Sequence, residues 1–138
     1  MTKSIIIAVD AMGGDGSPKK IIDGIIHHNN KKNNSFYKIF GDHNKIQKLI
    51  PENFDKSRYE IIHTTETVRG NDTPLGAAKR GKKTSMWLAV DSVKNKNADV
   101  VISAGNTGAL LVIAKLNLKM IENIDKPALS ALWPNKIG

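Results

Sequence analysis

A chain of 138 residues with 40% hydrophobic and 25% charged side chains has room for one domain with a core and lacks the composition of a disordered segment. Lys and Arg outnumber Asp and Glu by 21 to 13, giving a formal charge of +8, which favours anionic partners without choosing among phosphate, nucleic acid, acidic protein and anionic lipid. With no cysteine, the chain has no disulfide, no thiolate nucleophile and no Cys-ligated zinc.

The apolar run at 5–9 is shorter than the roughly 7–15 residues of a signal-peptide core, and Asp10 closes it at once. Being short, β-branched and apolar throughout, it predicts a strand buried on both faces of a parallel sheet. A glycine loop follows at 10–16, then Ser17 as an N-cap and Pro18 at the first helical position. Ile21, Ile22, Ile25 and Ile26 form one apolar stripe of that helix. Residues 27–35 are polar and predict a helix end and loop. A second strand is expected over 36–40, closed by Gly41 and Asp42, then a short helix over 44–50 ended by Pro51. Residues 59–63 predict a third strand, and 64–74 are polar, with Gly70, Asn71, Asp72 and Pro74 marking turns. From Leu75 the pattern is helical: Met86, Ala89, Val90 and Val93 share a face, and Gly81 is placed to break the run in two. A buried strand is expected over 99–103, with Val100, Val101 and Ile102 as its core. An apolar helix from Ala109 to about Met120 follows, placed deep in the fold because apolar residues lie on most of its faces. It falls far short of the ~20 apolar residues of a spanning helix, so a soluble protein able to touch a membrane surface is expected.

Strands alternating with helices imply an α/β fold with a mostly parallel sheet and helices on both faces. Ligands in such sheets bind beyond the carboxyl ends of the strands, where both glycine loops fall. In 103–108, Gly105 and Gly108 allow close backbone approach, the next helix offers free N–H groups, and Ser103, Asn106 and Thr107 add donors without negative charge. Two readings stand here: an oxyanion or phosphate site, or a tight turn in which Asn106 or Thr107 caps the helix. In 10–16, Asp10 and Asp15 would repel a bare phosphate, so spacing alone favours a structural loop around Gly13 and Gly14. The segment is neither a Walker A nor a dinucleotide fingerprint. Lys79, Arg80, Lys82 and Lys83 read first as a solvated basic face and second as a positive wall for phosphate or an acidic carrier. No aromatic residues interleave with them for base stacking, so nucleic acid is not the expected partner. The histidines show no metal-ligand spacing.

In order along the chain, the string Ile7 to Asp15, the strand end Phe40-Gly41-Asp42, the basic segment Ala78 to Met86, the string Ser103-Ala104-Gly105-Asn106-Thr107-Gly108-Ala109-Leu110, and Asp125-Lys126-Pro127-Ala128-Leu129 resemble the phosphate acyltransferase family of bacterial phospholipid synthesis, the PlsX type. Thr84 departs from that pattern where the family has the first serine of Ser-Ser-Met, and Lys126 stands where it has arginine. Family members are much longer, and the Leu-Asp-Leu-Gly-Ala-Asn element that follows in them has no counterpart in these 138 residues. The resemblance thus implies an amino-terminal α/β portion, with the carboxyl-terminal half absent.

It further implies a three-layer α/β/α fold similar to phosphotransacetylase and isocitrate-dehydrogenase-like enzymes. The implied activity transfers a fatty acyl group from acyl carrier protein to inorganic phosphate, with no metal or organic cofactor. A cytoplasmic homodimer is implied, peripheral at the inner face of the membrane, with a membrane glycerol-3-phosphate acyltransferase receiving the product. On this reading Asn106 and Ser103 are the expected catalytic donors. Gly105, Thr107, Gly108, Asp10, Gly13, Gly14 and Asp15 are expected to shape the phosphate and substrate site, and Lys82 and Lys83 to attract the acidic carrier. The alternative is a folded or dimerising remnant without catalysis.

Overall fold

The computed structural model describes residues 4–31 and 34–134. Among them the strands β1 (Ile5–Asp10), β2 (Ser35–Gly41), β3 (Tyr59–His63) and β4 (Val100–Ser103) form one parallel sheet in the order β3-β2-β1-β4. The connections carry the helices α1 (Lys19–Lys31), α2 (His43–Gln47), α3 (Pro74–Arg80), α4 (Ser85–Lys94) and α5 (Thr107–Asn117), with a 3-10 turn at Lys56–Arg58 before β3.

Parallel register puts alternate residues of every strand on a common face. Ile7 aligns with Tyr37, and Val9 with Ile39, which in turn aligns with Ile61. This face is covered by Ile22 and Ile25 of α1 and Ile46 of α2. Ala8, Phe40, Ile62 and Val101 face the other way, against Leu88, Ala89 and Val93 of α4. Beyond α4, its Met86 and Val90 pack with Ala77 and Ala78 of α3 and with Ala109 and Ile113 of α5. Helices therefore lie on both faces of a parallel sheet, the three-layer α/β fold the alternation predicts.

Short polar side chains start these helices. Asp42 accepts from the N–H groups of Asn44 and Lys45, Thr73 from Gly76 with Pro74 at the first helical position, and Thr84 from Trp87. Gly81, at φ 129°, ends α3 and splits the helical run where expected.

Three expectations are corrected. Helix α1 begins at Lys19, one residue after the proline, and the Ser17 hydroxyl donates to the Gly13 carbonyl instead of capping the helix. Its end at Lys31 falls within 27–35, where a helix end and loop are expected; 32 and 33 fall outside the described residues. Strand β4 is not buried on both faces: Val100 is 43% and Ile102 51% exposed, while Val101 between them packs toward α4. Helix α5 is not deep in the fold either. It rests on α3 and α4 through Ala109 and Ile113, a single i, i+4 stripe, and Leu116 is 61% exposed. No helix among the described residues is long and apolar enough to cross a membrane.

Truncating Ile39, which is fully enclosed between α1 and the sheet, is expected to cost about 2–5 kcal/mol. Leu116→Ala removes an exposed side chain and is expected to stay within about 0.5 kcal/mol. Urea denaturation of the two variants checks both values.

Candidate active site

Asp10 ends β1 with its side chain on the α4 face, and it is 1% exposed. One carboxylate oxygen accepts the Ser85 hydroxyl at 2.6 Å and the Met12 N–H at 3.3 Å; the other accepts the Ser103 hydroxyl at 2.7 Å. A buried carboxylate is costly unless donors surround it. Here they come from the first residue of α4 and the last of β4, and the amino-terminal end of α4 adds a favourable dipole. One side chain thus ties together three elements far apart in sequence.

Above it the two glycine loops touch backbone to backbone. A Cβ on Gly13 would lie 2.5 Å from an Asp10 carboxylate oxygen and 3.0 Å from the Gly105 nitrogen. A Cβ on Gly14 would lie 2.2 Å from the Ala104 carbonyl oxygen, and Gly14 has φ +88°. Only glycines allow this approach.

A third wall comes from 64–73, the exit of β3. The Thr64 hydroxyl donates to the Lys83 carbonyl at 2.6 Å, and the Ser85 N–H to the Glu66 carbonyl at 3.0 Å. Asn106 fastens the far end: its Nδ2 donates to the carbonyls of Gly70 (3.1 Å) and Asp72 (2.8 Å), while its Oδ1 accepts the Ala109 N–H and caps α5. Asp72 in turn pairs with Arg80, which also donates to the Thr67 carbonyl. The walls enclose a cleft of about 390 Å³ lined by Met12, Gly14, Asp15, Thr67, Arg69, Gly105 and Asn106.

Of the residues singled out from sequence, Gly14, Asp15, Gly105 and Asn106 line this cleft. Asp10, Gly13 and Ser103 form the hydrogen-bonded layer at the meeting of the two loops. Thr107, exposed, opens α5, and Gly108 packs against the Pro74 ring at the start of α3. Lys82 and Lys83 are exposed on the connection between α3 and α4 and are not among the cleft-lining residues. The cap reading of Asn106 holds in the structure. Both amide hydrogens of Asn106, and the hydroxyl hydrogen of Ser103, are committed to protein acceptors.

Ser85 and Arg69 were not anticipated as site residues. Ser85 stands in the stretch Ala78 to Met86 that carries the resemblance, but its link to Asp10, 75 positions away, shows only in the fold. Arg69 was legible in principle, because the strand-end rule that points to the two glycine loops applies equally to the segment leaving β3.

The Arg69 N–H on Asp72, foremost, and the Arg80 guanidinium with it hold the Asp72 carboxyl below its ordinary range. A lowered folded-state value means stabilisation that is present above the unfolded value of about 3.9 and lost as pH falls through the folded one. Thermal-melt midpoints are therefore expected to drop as pH falls below about 4, and less steeply in Asp72→Asn. A second expectation concerns the loop contact: Gly14→Ala, which meets both the positive φ and the Ala104 carbonyl, should destabilise the chain by about 1–3 kcal/mol in urea.

Comparison with known proteins places these features in a family. The chain is 71% identical over 136 residues to the phosphate acyltransferase of Pelagibacter ubique, covering 99% of this chain and 40% of that protein. It is 44% identical over 140 residues to the phosphate acyltransferase of Parvibaculum lavamentivorans, covering 100% of this chain and 39% of the relative. The phosphate acyltransferase of Listeria welshimeri is 44% identical over 132 residues, covering 96% and 38%. The chain thus spans about two-fifths of the length of these curated relatives. With the model of the fatty acid synthesis protein family matching residues 5–138, the chain belongs to that family.

Proposed function

We propose that this chain is the amino-terminal α/β portion of a phosphate acyltransferase that forms acyl phosphate from fatty acyl-[acyl-carrier protein] and inorganic phosphate for phospholipid synthesis. The observation that carries the reading is the cleft where the loops after β1 and β4 meet beside Arg69, in a chain whose relatives bear the name phosphate acyltransferase. A cytoplasmic homodimer passing its product to a membrane glycerol-3-phosphate acyltransferase belongs to the same proposal, and nucleic acid has no part in it.

In this proposal phosphate occupies the cleft beside the Arg69 guanidinium and reaches the N–H groups and hydroxyl of Thr107 and Gly108, which adjoin the lining residue Asn106 at the start of α5. Asp15, on the same cleft, repels anions, so phosphate there depends on those donors to offset it. A phosphate oxygen attacks the thioester carbonyl and forms the new C–O bond. The C–S bond then breaks, and the sulfur leaves with the electron pair and takes up a proton. The protein's contribution is orientation and stabilisation of the tetrahedral oxyanion. Asn106 and Ser103 serve as positioning residues, because their side-chain hydrogens already hold the walls. Lys82 and Lys83 attract the acidic carrier from outside the cleft.

A second reading, a folded chain without catalysis of its own, is favoured by the two-fifths coverage of its relatives. Trapping acyl phosphate with hydroxylamine, using palmitoyl-acyl carrier protein and phosphate, separates the two: hydroxamate is expected from a working enzyme, and none from a folded but inactive chain. Calorimetric titration with inorganic phosphate tests the site itself. Arg69→Ala should weaken binding about 10-fold or more, the loss of a charge-assisted hydrogen bond. The double change Lys82→Ala, Lys83→Ala should leave binding within about 2-fold, since neither lysine is among the cleft-lining residues. Equal losses in both variants would overturn the assignment of Arg69.

A further inference from the structure

The cleft brings together two opposite charges that do not meet. Asp15 and Arg69 both line it, yet among the described residues neither the carboxylate nor the guanidinium has an ion-pair or hydrogen-bond partner. Arg69 has an acid close by in sequence, Asp72, but that carboxylate is engaged by the Arg69 N–H at 2.7 Å and by the Arg80 guanidinium. Asp15 is exposed and stands between Gly14 and Gly16, at φ 88° and 76°. Its loop is pinned on the side toward β1: Gly14 lies against the Ala104 carbonyl, and the Ser17 hydroxyl donates to the Gly13 carbonyl. In a chain of formal charge +8, a carboxylate on the wall of an anion cleft works against the anion unless it makes a contact of its own with it.

The chemistry of the two groups specifies what bridges them. A guanidinium only donates, and an ionised carboxylate only accepts. The amide hydrogens of Asn106 and the hydroxyl hydrogen of Ser103 are already engaged by the protein. A ligand that satisfies both walls must therefore accept on one side and donate on the other. Inorganic phosphate does so, because in neutral solution it keeps at least one P–O–H hydrogen beside its charged oxygens. Sulfate has the same tetrahedral shape and no such hydrogen, so it satisfies Arg69 and leaves Asp15 against like charge. For a protonated oxyanion, a charge-assisted O–H···O⁻ bond takes the place of that repulsion.

We propose that Asp15 is the specificity-determining residue of the cleft. Its carboxylate accepts the P–O–H hydrogen of monohydrogen phosphate while Arg69 holds another, charged oxygen, so the site takes protonated tetrahedral oxyanions such as phosphate and arsenate and rejects sulfate. This rests on the reading of the cleft as the phosphate site, and adds which form of phosphate the site admits and what it excludes.

The test is calorimetric titration of the chain with phosphate, arsenate and sulfate at constant ionic strength and about pH 8.5, where monohydrogen phosphate and sulfate carry equal charge and differ by one hydrogen-bond donor. Phosphate and arsenate are expected to bind alike, and sulfate about 10-fold or more weakly. Asp15→Asn replaces a group that only accepts with one that also donates, so sulfate gains, phosphate loses and the preference falls to within about 2-fold. Asp15→Glu keeps the acceptor and is expected to keep phosphate ahead of sulfate. Arg69→Ala should weaken all three anions together, since a guanidinium serves any oxyanion. Asp15 is exposed, so both of its variants are expected to keep the circular-dichroism spectrum of the chain. Failure of the unaltered chain to bind any of the three anions overturns the phosphate site and the inference together. Saturable phosphate binding with sulfate equally tight, or an undiminished preference in Asp15→Asn, overturns the role of Asp15 alone and leaves the phosphate site standing.

Discussion

A carboxylate withdrawn from water must be met by donors, and where those donors come from dictates how this chain closes on itself. Asp10 draws its donors from Ser85 and Ser103, residues 75 and 93 positions away. Satisfying that one group brings the first turn of α4 and the end of β4 to the carboxyl end of β1. Removing it would leave the buried Ser85 hydroxyl and the half-buried Ser103 hydroxyl without their acceptor; keeping it without them would strand a charge in a dry site.

The cleft follows from that closure. Once β1 and β4 end side by side, their loops collide unless both lack side chains at the contact, and Gly13, Gly14 and Gly105 stand there. The structural-loop reading of Gly13 and Gly14 thus holds, and Gly105, read from sequence for close backbone approach to a ligand, is required first by the approach of one loop to the other. The same holds for Asn106, whose amide joins the start of α5 to the segment leaving β3. Several polar side chains here hold walls: Asp10, Ser85, Ser103 and Asn106 are hydrogen-bonded within the protein, while Asp15, Thr67 and Arg69 are among the residues that line the cavity. Preorganised donors of this kind are what an oxyanion developing on an acyl carbon needs.

The order of strands and helices was legible because it rests on local patterns: β-branched runs, an isoleucine stripe, the break at Gly81 and the Asn106 cap. Layering followed from alternation. What escaped depends on contacts across the sheet. Val100 and Ile102 have the composition of a buried strand, but burial is a property of neighbours, and on one face β4 has none among the described residues. The apolar sequence of α5 likewise overstates its burial. At the site, Gly14, Gly105 and Asn106 were found because motif and strand-end logic agree on them. Ser85 and the wall at 64–73 were missed because only the folded register brings them in.

The central claim is that the junction above Asp10 is a phosphate site. It is tested most directly by recording backbone amide resonances of the chain as inorganic phosphate is added, with chloride at matched ionic strength as reference. Saturable shifts confined to residues 13–16, 67–70 and 104–108 are the predicted result. Shifts centred on the basic segment 79–83, or shifts that grow without saturation and match those in chloride, would contradict it.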